Sequence, residues 1–191
     1  FLLNYKPFAL AFTAFCLVGL LNSFNLIDGM NGLATGTIIL VSGAIFSLST
    51  TYSEPNIKII SLSMLAVMSG LFFLNYPVGK IFLGDAGAYT FGLLIGICLI
   101  TIKFRHPEIS GWCLLLILFW PVTETVHSII RRKIKRRASD RPDMRHMHHM
   151  VMRAVENLSS KRIGREYSNP ISTALILPLS FIPILVALSF P

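Results

Sequence analysis

Six stretches of this 191-residue chain are apolar over nearly the length that a bilayer demands: 8–27, 33–49, 57–76, 86–102, 112–130 and 170–190. A helix that crosses the hydrocarbon core needs about 20 mostly apolar residues, so the pattern predicts six transmembrane helices. Composition agrees: 53% of residues are hydrophobic, 14% are charged and the mean hydropathy is +0.66, a balance foreign to a soluble domain with a polar surface. A soluble fold would have to bury all six helices on every face in one small domain, which sets it aside. The expected fold class is an all-α integral membrane protein.

The chain opens on Phe1, and the first apolar stretch follows with neither the basic flank nor the small-residue cleavage site of a signal peptide. The expectation is therefore the C-terminal part of a larger polytopic bundle. No internal repeat stands out, and residues 1–191 read as one transmembrane domain with a polar connection over 131–169. Cys16, Cys98 and Cys113 are isolated within or beside apolar stretches and form no CxxC pair, so they suggest neither a disulfide framework nor a metal site.

Charge orients the bundle. Of the 17 Lys and Arg residues, twelve fall between Arg131 and Arg165, and basic connections stay cytoplasmic. Counting helices back from that loop places the Asp28 turn and the Lys80 to Asp85 turn on the same side, with Lys6, Lys58, Lys103 and Arg105 opposite. A net charge of +8 raises nucleic acid as a partner. A basic loop between apolar helices instead faces anionic lipid and phosphate, so no nucleic-acid role is expected. The run from Arg131 to Arg137 is read as a lipid-facing or topogenic flank.

Three polar clusters then share the cytoplasmic side. The first holds Asn22, Asn25, Asp28 and Asn31, the first three of which, at steps of three, lie on one helix face. Polar groups at that depth face a bundle interior or a wet cavity; the alternative is that Asp28 and Asn31 cap and turn the next helix. The second holds Asn75, Lys80, Phe82 and Asp85, with glycines on both sides of the carboxylate. A hard divalent cation takes one or two carboxylates together with substrate phosphates and water, so Asp85 is a metal candidate, and Lys80 can offset phosphate charge; a plain N-cap is the alternative for Asp85. The third packs His146, His148 and His149 with Arg141, Arg145 and Arg153 into the loop, a surface suited to pyrophosphate and sugar hydroxyls. Zinc on the HxHH run and an unspecialised solvated loop are the competing readings. Glu124, deep between Pro121 and His127, is an ionisable residue without a partner visible in the sequence.

The segments NSFNLIDGMNGLA, NYPVGKIFLGDAGAYTFG and RPDMRHMHHMVMRA, in this order and with apolar helices between them, resemble the polyprenyl-phosphate N-acetylhexosamine-1-phosphate transferases, which include WecA-type and MraY-type enzymes. That resemblance covers nearly the whole chain. It implies that Asp85 binds magnesium, with manganese as the alternative ion, and that Asn25, Asp28 and Asn75 line the nucleotide-sugar site. It further implies that His146, His148 and His149 are catalytic-loop histidines and that Phe82 lies near the uracil. Asp28, Asp85 and the three histidines are thus the expected catalytic residues. Asn22, Asn25, Asn31, Asn75, Lys80, Phe82, Arg141, Arg145 and Arg153 are the expected substrate contacts.

HxHH followed by an Arg looks more like the WecA-type subgroup, whose donors are UDP-N-acetylhexosamines, than like MraY-type enzymes. The implied reaction carries N-acetylhexosamine 1-phosphate from a UDP-sugar, UDP-GlcNAc or a related amino sugar, to undecaprenyl phosphate. It would release UMP at the cytoplasmic face of a bacterial inner membrane and start a cell-surface polysaccharide such as O-antigen. A homodimer is one arrangement open to such a protein. Two departures stand out. Asn31 occupies a position where the family often has Asp, and the family's paired-aspartate motif is absent from these 191 residues, which leads us to expect it in helices preceding this chain. A transporter module, with polar groups on broken helices at mid-membrane, is the rival from another class, and the clustering at helix ends speaks against it.

Overall fold

The structure, a computed structural model, describes residues 5–134, 146–159 and 163–191. Among these residues the chain forms eight helices: α1 (Lys6–Ile27), α2 (Leu33–Thr51), α3 (Pro55–Asn75), α4 (Gly84–Arg105), α5 (Gly111–Ile117), α6 (Phe119–Ile134), α7 (Met147–Leu158) and α8 (Arg165–Ser189). Five of them are long and apolar enough to cross a membrane, and α5 with α6 makes a sixth if that bent pair counts as one span. This is a polytopic all-α membrane protein, as the apolar stretches predicted.

α2 is the most enclosed helix and packs against α3, α8, α4 and α1. Its inward residues, among them Ile38, Val41, Ile45 and Leu48, are nearly all at or below 2% exposure. α1 and α3 instead turn Phe12, Phe15, Leu62 and Phe73 outward. Large apolar side chains on an outer face are costly in water and cost nothing against lipid tails, so the two faces of these helices follow from the solvent that each meets.

The fifth apolar stretch departs from expectation. It is two helices bent by 83° at Leu118 rather than a straight span over 112–130. Pro121 accounts for the break: it has no N–H to give to residue 117 and its ring collides with that carbonyl, so a helix running in from Gly111 cannot pass through it. Beyond the bend, α6 is strongly amphipathic and ends on Arg131, Arg132 and Lys133.

The polar connection expected over 131–169 is also more ordered. α6 continues to Ile134, α7 fills 147–158, and α8 begins at Arg165. α7 buries His148, Met152 and Val155, a spacing that places all three on one helical stripe, and it packs on α8.

Chain direction alternates, so the turns fall into two sets. At one end Glu54, 6% exposed, accepts a hydrogen bond from Arg105 at 2.5 Å and sits 3.1 Å from His106 Nε2, tying the α2–α3 turn to the end of α4. Lys58, Lys103 and Arg105 are at this end, where the charge count placed them. The 28–32 turn, the 76–83 turn and α7 gather at the other.

Candidate active site

The two carboxylates singled out in the sequence are joined through a pair of cross-helix hydrogen bonds. Asn25, in the last turn of α1, donates from Nδ2 to Asp85 Oδ1 at 2.7 Å, and the backbone N–H of Gly84 donates to Asp28 Oδ2 at 2.7 Å. The end of α1 is thereby locked to the start of α4. Gly84 can take part because its φ of +70° is a left-handed conformation that glycine adopts freely. Asp85 lies in the first turn of α4, where the free N–H groups of the helix favour an anionic side chain.

Asp28 is half-buried, and burial raises its carboxyl pKa, against hydrogen bonds from the Gly84 and Leu83 backbones that lower it, while the nearby Asp85 charge adds to the rise. Its Oδ1 is buried and has no hydrogen-bond partner among the described residues. An orphaned carboxylate oxygen beside a second, exposed carboxylate is a donor set that suits a hard divalent cation completing its shell with water and phosphate. No cluster of three or more His, Cys, Asp or Glu with metal-holding geometry occurs among the described residues.

Asn31 and Asn75 hold the wall behind these carboxylates. Asn75, 1% exposed, accepts from the Gly32 N–H through Oδ1 and donates to the Ile81 carbonyl through Nδ2. Asn31 donates to the Pro77 carbonyl at 2.7 Å, while its own N–H donates to Asn169 Oδ1 at 2.9 Å and its carbonyl accepts from Thr173 at 2.8 Å. Two turns and the start of α8 are thus interlocked. Gly32 is required at this crossing: its φ is +79°, and a Cβ there would lie 2.8 Å from Tyr76 Cβ. Of these two expected substrate contacts, Asn75 has both its amide oxygen and nitrogen engaged in the scaffold, and Asn31 its amide nitrogen. Asn22, Lys80 and Phe82 are exposed on the same end.

The three histidines form one group. The rings of His146 and His148 stack in parallel at 5.4 Å, and His149 lies 4.3 Å from His148. Beneath them is Glu124, fully buried on α6, whose Oε1 accepts from the Met147 N–H at 2.8 Å and lies 3.1 Å from His148 Nδ1 and 3.4 Å from His146 Nδ1. Ser128, one turn further along α6, is 3.0 Å from His146 Nδ1. Burial, aided by the positive charges of His148, His146 and Arg165 and opposed by Glu124, pushes the His149 pKa down to about 4. His148 Nε2 comes within 3.8 Å of where a Cβ on Gly29 would stand, so the histidine group abuts the Asp28 turn. Arg153 is exposed on α7, and Arg141 and Arg145 lie outside the described residues.

Glu124 was the deep carboxylate without a visible partner; its partners are the histidines, 22 and 24 residues away in sequence. Ser128, Asn169 and the Ser23–Thr125 hydrogen bond that ties α1 to α6 drew no notice in the sequence. Only the four-residue step from Glu124 to Ser128, which puts both on one helix face, could have flagged a member of that set.

Residues 2–103 match the family described as Glycosyl transferase family 4. The chain belongs to glycosyl transferase family 4. Among curated relatives, this family 4 chain is 31% identical over 141 residues to a Bacillus subtilis protein named probable undecaprenyl-phosphate N-acetylglucosaminyl 1-phosphate transferase, an overlap covering 73% of this chain and 39% of the relative. It is 31% identical over 153 residues to the Escherichia coli K12 undecaprenyl-phosphate alpha-N-acetylglucosaminyl 1-phosphate transferase, covering 78% and 42%. It is 37% identical over 122 residues to a Lactobacillus johnsonii phospho-N-acetylmuramoyl-pentapeptide-transferase, covering 63% and 36%. The chain therefore spans about two-fifths of the length of these relatives.

Proposed function

We propose that this chain supplies part of the active site of a membrane transferase that moves an N-acetylhexosamine 1-phosphate from a UDP-sugar to undecaprenyl phosphate. The observation that carries the reading is convergence: Asp28, Asp85 and the histidine group, drawn from segments spread over more than 100 residues of sequence, meet at one end of the bundle. Family membership and the relatives' names support the reaction class.

In this reading an oxygen of the lipid phosphate attacks the phosphorus attached to the sugar. The bond from that phosphorus to the bridging oxygen breaks, and UMP leaves with the electron pair. Such transfer depends chiefly on positioning and on charge neutralisation. Asp85 and the free Oδ1 of Asp28 would hold magnesium, or manganese in its place, which when bound supplies charge neutralisation to the donor pyrophosphate. Asn25 orients Asp85, the Gly84 N–H orients Asp28, and Lys80 adds positive charge at the rim. The histidines hold or move a proton beside the Asp28 turn, and Phe82 offers an exposed ring for the uracil. The basic 131–169 connection supports a location of this end at the cytoplasmic face of a bacterial inner membrane. UDP-GlcNAc is the preferred donor, for initiation of a surface polysaccharide such as O-antigen. The relative that acts on a muramoyl-pentapeptide donor keeps that donor as the second reading.

The test uses the complete open reading frame in membranes, with UMP release measured from UDP-GlcNAc and undecaprenyl phosphate, with and without magnesium. Wild type is expected to release UMP only when lipid phosphate and magnesium are both present, and Asp85→Asn to lower the rate by on the order of 10²-fold or more. A folded wild type that is silent with UDP-amino sugars and with the muramoyl-pentapeptide donor would overturn the reading.

A further inference from the structure

The mechanism above leaves the buried carboxylate of Glu124 unused. Glu124 is 0% exposed, and a carboxylate so placed is retained only with compensating partners. Its contacts among the described residues converge on a single oxygen: Oε1 receives the Met147 N–H at 2.8 Å and lies 3.1 Å from His148 Nδ1 and 3.4 Å from His146 Nδ1, whereas neither Oε2 nor His148 Nδ1 completes a hydrogen bond. The Met147 N–H is the first free donor of α7, and the N-cap residue His146 makes no side-chain capping bond of its own. A carboxylate from α6 therefore does in trans what an N-cap side chain does in cis.

We infer that Glu124 is a positioning residue that caps α7 and, through the 3.1 Å approach of its Oε1, favours the Nδ1–H tautomer of His148. A carboxylate facing Nδ1 keeps the ring proton there and leaves the Nε2 lone pair free, and His148 Nε2 is the atom that abuts the Asp28 turn. This is the logic by which an outer carboxylate orients a working imidazole. The 83° bend at Leu118 makes it possible, because it turns α6 so that Glu124 lies under α7 rather than along a straight span. What the histidine does with its free nitrogen rests on the transferase reading; how Glu124 holds it does not.

Two readouts on the full-length protein in proteoliposomes separate those questions: steady-state UMP release, and ¹⁵N NMR of labelled histidines, with the His148 signals assigned through His148→Gln. Glu124→Ala is expected to lower kcat by about 10–100-fold while the donor KM stays within about threefold, and to shift His148 from the Nδ1–H toward the Nε2–H tautomer. Glu124→Gln keeps an oxygen at the Oε1 position and should retain the Nδ1–H tautomer with an intermediate kcat, which also covers the case in which the Ala variant fails to fold. Unchanged tautomer and unchanged kcat in Glu124→Ala would overturn the proposal. So would a loss confined to KM and thermal stability with the tautomer intact. A tautomer shift in a protein whose wild type transfers nothing would uphold the positioning role and sink the transferase reading.

Discussion

Asp28 and Asp85 lie three residues from Asn31 and five from Lys80, yet the structure treats these neighbours differently. Among the described residues Asp85 is exposed and braced by Asn25, and Asp28 Oδ1 has no hydrogen-bond partner, whereas both side-chain groups of Asn75 are closed off in hydrogen bonds. Titration adds a further distinction. His149 is held to about 4 against an ordinary 6.5, so between those values the unfolded chain binds a proton that the folded chain refuses. Its contribution to stability is complete above about pH 6.5 and is lost progressively as pH falls toward about 4. Thermal unfolding in detergent should therefore drop more between about pH 7 and about pH 5 for wild type than for His149→Gln. Equal drops would mean that His149 is solvated and titrates normally.

At the scale of elements, the turns matter as much as the helices. Asn75 bridges the 28–32 and 76–83 turns from a buried site, so Asn75→Ala leaves a buried N–H at Gly32 and a carbonyl at Ile81 without partners. The expected loss is about 1–3 kcal/mol for such an orphaned group, read as a lower thermal midpoint. Activity should fall with it, because the two turns that Asn75 joins carry Asp28 and lead into Gly84, whose N–H holds Asp28, and Asp85. A variant as stable as wild type would show that water or a shifted turn replaces both bonds. α7 and the bend before α6 belong to this scale too. The sequence places Pro121 where a break is expected in hindsight, but hydropathy alone reads the stretch as one span, since the apolar run continues through it.

Across the whole molecule, the two ends serve different tasks. The end with Glu54, Arg105 and His106 carries none of the proposed machinery and acts as a clip. Burial raises the Glu54 carboxyl pKa, but hydrogen bonds from His106 and Arg105 outweigh it and hold the group below its ordinary 4.5. A depressed carboxylate stabilises above its unfolded pKa, and that contribution is lost as pH falls through the folded value. Glu54→Ala should then unfold at a lower temperature than wild type near pH 7, with the gap narrowing as pH falls below about 4.5, while kcat and donor KM stay within about twofold. A large kcat loss would instead show that the two ends are coupled through α2 and α4.

What the sequence determined by itself was everything governed by local chemistry. Apolar runs near 20 residues specify spans because lipid cannot hydrate a backbone; basic residues gathered in one connection orient them; and three polar motifs mark one end. Tertiary structure decided the rest, because a contact such as Asn31 with Asn169, separated by 138 residues, has no trace in local pattern. So it is with Glu124, a lone carboxylate in the sequence and the seat of a histidine group in the fold. A buried charge takes its meaning from its partners, and packing alone chooses them.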